Sequence, residues 1–187
     1  MFRSETTTRD IVYIALFAAL MAALAIFPPL HIPLLGVPIT AQSLGPMLAG
    51  AILGAKRGAL SMLLFVALVA VGLPLLPGGR GGLGIFAGPT AGFILGWIVA
   101  AGVTGALHEW GWRQLSVVSS FAYSVIGGIL VLYAIGIPWV AVNAHLSLWQ
   151  ATTGSAAFIP GDLVKAGMAA IVAVAIKRSY PLIHQPA

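Results

Sequence analysis

The residues best suited to chemistry are an acid and a base in the segment FIPGDLVK at positions 158–165. Asp162 and Lys165 lie three positions apart at the head of an apolar run that extends to Ile176. On a helix this spacing places both side chains on one face. A charge at the centre of a bilayer costs roughly 2.5–3.5 kcal/mol on insertion scales. Charges retained there therefore generally face a ligand, a partner or a cavity.

This pair sets a carboxylate acceptor beside an ammonium donor. Pro160 and Gly161 mark a helix start, so Asp162 lies near the positive end of the helix dipole. Lys165 lies about 4.5 Å deeper, at 1.5 Å per residue. The arrangement suits a planar group with N–H donors and a carbonyl acceptor, such as a urea or an amide. The alternative is an ion pair that satisfies itself and only orders the helix.

Further candidates stand near the ends of other apolar runs. Arg80 lies in Gly-Gly-Arg-Gly-Gly at 78–82, where glycine lets the backbone bend closely around a ligand. Arginine suits a carboxylate, although a solvated loop arginine is the alternative. Thr40 and Gln42 can donate and accept hydrogen bonds, or merely cap a helix. We predict a substrate-binding set of Asp162, Lys165, Arg80, Gln42, Thr40 and Gly81.

The sequence lacks the motifs of several common classes of enzyme. There are no cysteines, and no histidine pair has metal-ligand spacing, so we expect no metal site. Ser155 lies in Thr-Gly-Ser-Ala-Ala, which is not a GxSxG motif. No GxxxxGK[ST] motif occurs, so the chain cannot hydrolyse ATP by that route. We expect a protein that is not an enzyme and has no cofactor, and any ATP-driven step requires another subunit.

The elements that position these residues are predicted to lie in a membrane. The chain of 187 residues is 60% hydrophobic and only 7% charged, with a mean hydropathy of +1.05, whereas soluble domains carry about 25% charged residues. Bilayer helices need about 20 mostly apolar residues. We predict an all-α integral membrane protein, a single domain over 1–187. Its six predicted transmembrane helices are 11–30, 39–55, 59–76, 83–107, 115–140 and 158–176.

The distribution of charge predicts the orientation of these helices. With the N-terminus inside, the outer connections carry only Arg80. The inner side then carries Arg3, Arg9, Lys56, Arg57, Arg113, Lys177 and Arg178. This positive-inside bias places both termini in the cytoplasm. The outer connections, including 141–157, are long and fairly apolar, which is typical of loops that fold back as a lid or a pocket wall.

Small residues follow helical spacing in several runs. Glycines recur at every fourth position at 50, 54 and 58, and again at 88, 92 and 96. This spacing predicts close packing between helices. In the first run Ala15, Ala19 and Ala23 form one stripe. The stripe serves either internal packing or docking onto another membrane protein. The aromatic residues near the outer ends, Tyr133, Trp139, Trp149 and Phe158, are mostly expected in the interfacial belt, with one or two in an apolar pocket.

Four blocks of the sequence together resemble a known family. They are VPITAQSL at 37–44, GLP at 72–74 followed by the glycines of 78–84, GPTAGFILG at 88–96 and FIPGDLVK at 158–165. In this order they are similar to BioY, the biotin-binding S component of energy-coupling factor (ECF) transporters. One departure is Ala91, where the family pattern leads us to expect glycine.

The resemblance implies high-affinity capture of biotin from outside a bacterial cytoplasmic membrane. It also implies that the protein works with a membrane T component and two ABC-type ATPases. The stripe of Ala15, Ala19 and Ala23 would then be the surface that docks onto the T component. The ureido ring of biotin would match Asp162 and Lys165, and its carboxylate would need Arg80 or backbone N–H groups of the glycine loop. An S component for another vitamin, a self-sufficient carrier and a homo-oligomer stay open as alternatives.

Overall fold

The computed structural model describes residues 8–31, 37–180 and 182–183. Arg3 and residues 32–36, which enter the predictions on charge and on the outer connections, lie outside the described residues. The described helices are α1 (Thr8–Ala23), α2 (Leu44–Leu53), α3 (Ala55–Ala70), α4 (Ala91–Trp110), α5 (Val117–Val125), α6 (Leu132–Asn143), α7 (Leu148–Ser155) and α8 (Ile159–Ser179). Two short strands, β1 (Leu30–His31) and β2 (Pro38–Ile39), pair antiparallel with Leu30 opposite Ile39.

The helices have the length and composition of membrane spans. Within the described ranges, four continuous stretches are long and apolar enough to cross a bilayer: Thr8–Ile26, Ala91–Trp110, Val117–Asn143 and Leu148–Ser179. The predicted second and third spans correspond to shorter helices, Ala41–Leu53 and α3. The chain is therefore a mostly helical membrane protein, as predicted.

The boundaries of α2 and α3 differ from the predicted runs because of one glycine. Gly54 has φ of 86°, in the left-handed region that favours glycine, and it separates the two helices with only one intervening residue. The third helix consequently begins at Ala55 rather than at residue 59. It ends at Ala70 rather than at residue 76, and Gly72 just beyond it has φ of 105°. Residues 71–82 instead form an irregular connection in which Gly78 and Gly79 also have positive φ.

The prediction of a loop over 141–157 is wrong in part, because α7 lies inside this stretch. The helix begins with a reciprocal cap between Ser147 and Gln150, each side chain bonding the backbone of the other. The S-x-x-Q spacing is a sequence signal for such a start. The fifth span also contains a π-helical segment, Ile126–Val131, which includes Gly127 and Gly128. Segments of this type are rare and often occur near functional sites.

Helix α4 lies at the centre, in contact with α2, α3 and α6, while α8 packs against α2 and α5. The predicted packing role of the glycines is confirmed for these contacts. A Cβ at Gly92 would collide with Trp139 of α6, and one at Gly50 would collide with the backbone of α4. Small residues thus allow the backbones to approach closely. This brings the starts of α2, α4, α6 and α8 around one cavity.

Candidate ligand-binding site

A cavity lies between the start of α2, the start of α8, α4, α6 and the connection after α3. It contains about 570 Å³ of empty space, part of it open to solvent. Five of the six residues of the predicted substrate-binding set line this cavity: Thr40, Gln42, Arg80, Asp162 and Lys165. Gly81 is outside the lining. A Cβ on this residue would collide with the carbonyl of Leu73, so its role in the structure is to permit a close backbone approach.

Asp162 and Lys165 form an ion pair with Nζ and Oδ1 2.8 Å apart. The first turn of α8, with Pro160 near its start, places the carboxylate at the helix N-terminus as expected. The side chains of both residues are mostly buried, at 5% and 14% exposed. A pair this deep is stable only if its remaining polar positions are also bonded.

Neighbouring groups complete these bonds. Lys165 Nζ also donates to the backbone carbonyl of Thr40 at 2.7 Å and to Ser43 Oγ at 2.8 Å. Asp162 Oδ1 accepts from Ser43 Oγ at 2.8 Å, and Oδ2 accepts from the Tyr133 hydroxyl at 2.7 Å. The pair is therefore satisfied without a ligand, as the alternative interpretation required, and it also lines a cavity.

The carboxylate keeps room for one more donor. An ionised carboxylate has about four acceptor positions. Among the described residues Asp162 accepts three bonds, from Lys165, Ser43 and Tyr133. Lys165, by contrast, uses all three of its N–H groups. A ligand with an N–H group can thus bind the carboxylate directly, while a ligand carbonyl must exchange with one of the bonds of Lys165.

Aromatic rings form the apolar part of the wall. Phe93, Tyr133 and Phe158 pack edge to face, with ring centroids 6.0–6.4 Å apart. Trp97 also lines the cavity and is buried. Trp139 and Trp149 are exposed, in keeping with the interfacial belt. The prediction that one or two of the outer aromatic residues line a pocket is confirmed for Tyr133 and Phe158.

Arg80 contributes a second cationic group to the same cavity. A tight turn brings it there, with Leu76 N donating to Arg80 O at 3.0 Å and Gly79 N donating to Leu76 O at 3.0 Å. Arg80 Nε donates to Pro77 O at 3.2 Å. The other guanidinium N–H groups provide planar donors of the kind that bind a carboxylate.

Sequence reasoning missed Ser43 and assigned Tyr133 no polar role. Ser43 stands next to Gln42 in the block at 37–44, and only the fold shows that its hydroxyl bridges Lys165 and Asp162. Tyr133 reaches Asp162 across 29 positions of sequence. Metal ligation has no support in the described part of the chain, which holds no group of three acidic, histidine or cysteine residues able to bind an ion.

Spanning helices and a cavity that joins an ion pair to an aromatic wall define a membrane protein built to hold a small molecule. A family model described as the BioY family matches residues 1–182. The chain belongs to the BioY family. The resemblance found in the sequence is therefore confirmed.

Relatives and a solved structure agree with this assignment. The biotin transporter BioY of Rhizobium etli is 53% identical over 182 residues, covering 95% of this chain and 97% of that protein. The biotin transporter BioY of Rhodobacter capsulatus is 52% identical over 183 residues, covering 92% and 95%. A crystal structure of the S-component for biotin from an ECF-type ABC transporter matches with a TM-score of 0.87 and 27% identity, covering 95% of each chain. These are transporters, which confirms the prediction that the protein is not an enzyme.

Proposed function

We propose that this protein captures biotin as the substrate-binding S component of an ECF-type transporter. The observation that carries the proposal is the cavity in which Asp162, Lys165 and Arg80 meet an aromatic wall. The family and the names of the relatives support the same ligand. Biotin is the transported ligand in this reading, and no cofactor is required.

The lining matches the parts of biotin one by one. The ureido ring has two N–H groups and a carbonyl, which suit the Asp162 and Lys165 pair. The fused rings and the aliphatic tail suit the apolar wall. The carboxylate needs cationic or N–H donors, which Arg80 and the glycine-rich turn at 78–82 provide.

Direct titration tests this proposal. We expect the purified protein in detergent to bind biotin with submicromolar affinity, and to bind thiamine and riboflavin far more weakly, because those vitamins lack a ureido ring. Isothermal titration calorimetry measures all three. Failure to bind biotin at micromolar concentrations would refute the proposal, and tight binding of another vitamin would reassign the ligand.

The predicted docking stripe lies on an open surface of α1. Ala15, Ala19 and Ala23 are exposed, whereas Ala18 on the neighbouring stripe is buried. An exposed row of small residues allows close approach of another helix in lipid. We propose that this face contacts a membrane T component, which in turn works with two ABC-type ATPases.

Substitution of one alanine of the stripe by leucine tests whether the stripe serves transport rather than biotin binding. Ala19→Leu is expected to leave biotin affinity unchanged but to lower ATP-dependent uptake at least tenfold, because the larger side chain blocks close helix contact. The matched control is Ala175→Leu, which enlarges an exposed alanine of α8. Uptake of labelled biotin is measured in cells that express the T component and ATPases. Equal loss in both variants would argue against docking through α1.

The same uptake assay addresses transport without partners. Omitting the ATPases is expected to abolish accumulation of labelled biotin, because no ATP-binding motif occurs in this chain. Full accumulation without them would identify a self-sufficient carrier. Cross-linking of the protein alone in the membrane then shows whether it works as a homo-oligomer.

The whole chain is proposed to be one domain of six transmembrane helices in a bacterial cytoplasmic membrane, with both termini inside. Contacts bring the basic residues together at one end of the helices. Arg57 pairs with Asp10 at 2.8 Å, and Lys177 donates to the carbonyl of Arg113 at 3.3 Å. Arg80 lies at the opposite end, near the cavity. This separation supports a positive inner side.

The absence of native cysteine allows a direct test of topology. A single cysteine at Gly79 is expected to react with an impermeant maleimide in intact cells. A single cysteine at Lys56 is expected to react only after the membrane is permeabilised. The reverse pattern would invert the proposed orientation.

A further inference from the structure

The carboxamide of Gln42 is held in one orientation by two backbone carbonyls. Its Nε2 donates to Met21 O at 2.9 Å and to Leu75 O at 3.0 Å. A carbonyl oxygen cannot donate, so turning the amide over would replace both hydrogen bonds with contacts between acceptors. These neighbours therefore identify which amide atom is nitrogen and which is oxygen.

The oxygen of this amide is left as an acceptor. Gln42 is fully buried and yet lines the cavity. Its Oε1 has no hydrogen-bond partner among the described residues. Buried polar atoms are nearly always bonded, and an unpaired one lowers stability. Because Gln42 is one of the residues that line the cavity, a ligand bound there lies next to this side chain.

A second acceptor lies in the same cavity. Asp162 has one acceptor position beyond the three bonds already described. Two acceptors match a ring with two N–H groups. We propose that Gln42 Oε1 is a specificity-determining acceptor for one ureido N–H of the ligand, while Asp162 accepts the other. This inference rests on the proposed function and adds what the site selects for.

The selection follows from the fixed orientation of the amide. A freely turning glutamine can present either an acceptor or a donor, and it would tolerate either kind of ligand atom. Gln42 cannot turn without losing its bonds to Met21 and Leu75. A ligand with oxygen in place of the N–H would therefore bring two acceptors face to face, and its binding would weaken.

Cyclic carbamate analogues of biotin test this pairing. Each of the two regioisomers replaces one ureido N–H with a ring oxygen and keeps the size of the ring. We expect each to bind the wild-type protein roughly ten- to a hundredfold more weakly than biotin. In Gln42→Met, biotin should bind about tenfold more weakly, and the further penalty for one regioisomer should nearly vanish. The penalty for the other regioisomer should remain.

Gln42→Glu provides the matched control, because a buried, protonated carboxyl keeps an oxygen acceptor at the same length and an O–H donor for Met21 O or Leu75 O. It should retain the penalty for the oxygen analogue that Gln42→Met loses. If both variants lose affinity equally for all three ligands, Gln42 only holds Met21 and Leu75 in place and the inference is wrong. Equal affinity of wild-type protein for biotin and both regioisomers would also overturn it, and needs no folded variant. A wild-type protein that binds no biotin would refute the proposed function itself.

Discussion

Replacement of Asp162 by asparagine is expected to weaken biotin binding by about 1–3 kcal/mol, or roughly 5- to 150-fold. The carboxylate supplies the acceptor position for a ligand N–H, and its charge strengthens that bond. An asparagine keeps the shape but offers one oxygen and a donor group in place of two oxygens. The donor group then faces Lys165 or the Tyr133 hydroxyl, which both donate to Asp162 in the native site.

Loss of stability must be separated from loss of binding in this variant. Removal of one member of a buried ion pair leaves an unpaired charge, which costs about 3–5 kcal/mol. The double variant Asp162→Asn with Lys165→Met removes both charges. We expect it to recover much of the melting temperature of the ligand-free protein but none of the affinity. Recovery of both would show that the pair only orders the helix.

Asp10→Asn is the matched control for the same chemical change. Asp10 pairs with Arg57 over 2.8 Å, the same separation as in the cavity, but at the other end of the helices. We expect unchanged biotin affinity in this variant, measured by calorimetry on protein that elutes as a single folded species. An unchanged affinity in Asp162→Asn as well would contradict a direct role in binding.

The class of fold could be predicted because it depends on local composition. Long apolar runs must satisfy their backbone polar groups within a bilayer, and helices do so within each run. The boundaries were harder, because they depend on single residues. Gly54 ends α2 through a positive φ, and a cap between Ser147 and Gln150 begins α7 inside a predicted loop.

The candidate site could be predicted where its chemistry is unusual for a membrane. Asp162, Lys165 and Arg80 stand out because charges are few, and the structure brings all three to one cavity. Their contact with the ligand stays a prediction. Ser43 and Tyr133 could not be assigned, because hydroxyl residues are common in such helices. Their bonds to Asp162 span 119 and 29 positions, beyond any local spacing.

Substitution of Gly50 by valine is expected to destabilise the protein by about 3 kcal/mol or more, at the upper end of the cost of overpacking. A Cβ here would collide with the carbonyl of Ala101, and it would lie 2.8 Å from Gly105 N and from Thr104 Cβ. Two of these three atoms belong to the backbone of α4 and cannot turn away. Helix α2 must therefore move as a unit. The melting temperature in detergent measures this loss.

Gly167→Val in α8 is the matched control, because a Cβ at Gly167 would meet nothing within 4 Å. It should change the melting temperature little, and an equal loss in both variants would argue against the packing explanation. Gln42 and Ser43 directly precede α2, so a shift of this helix also moves the cavity wall. Gly50→Val should consequently lower stability and biotin affinity together. The double variant at Asp162 and Lys165 should instead lower affinity with much less loss of stability, which separates the frame of the site from its chemistry.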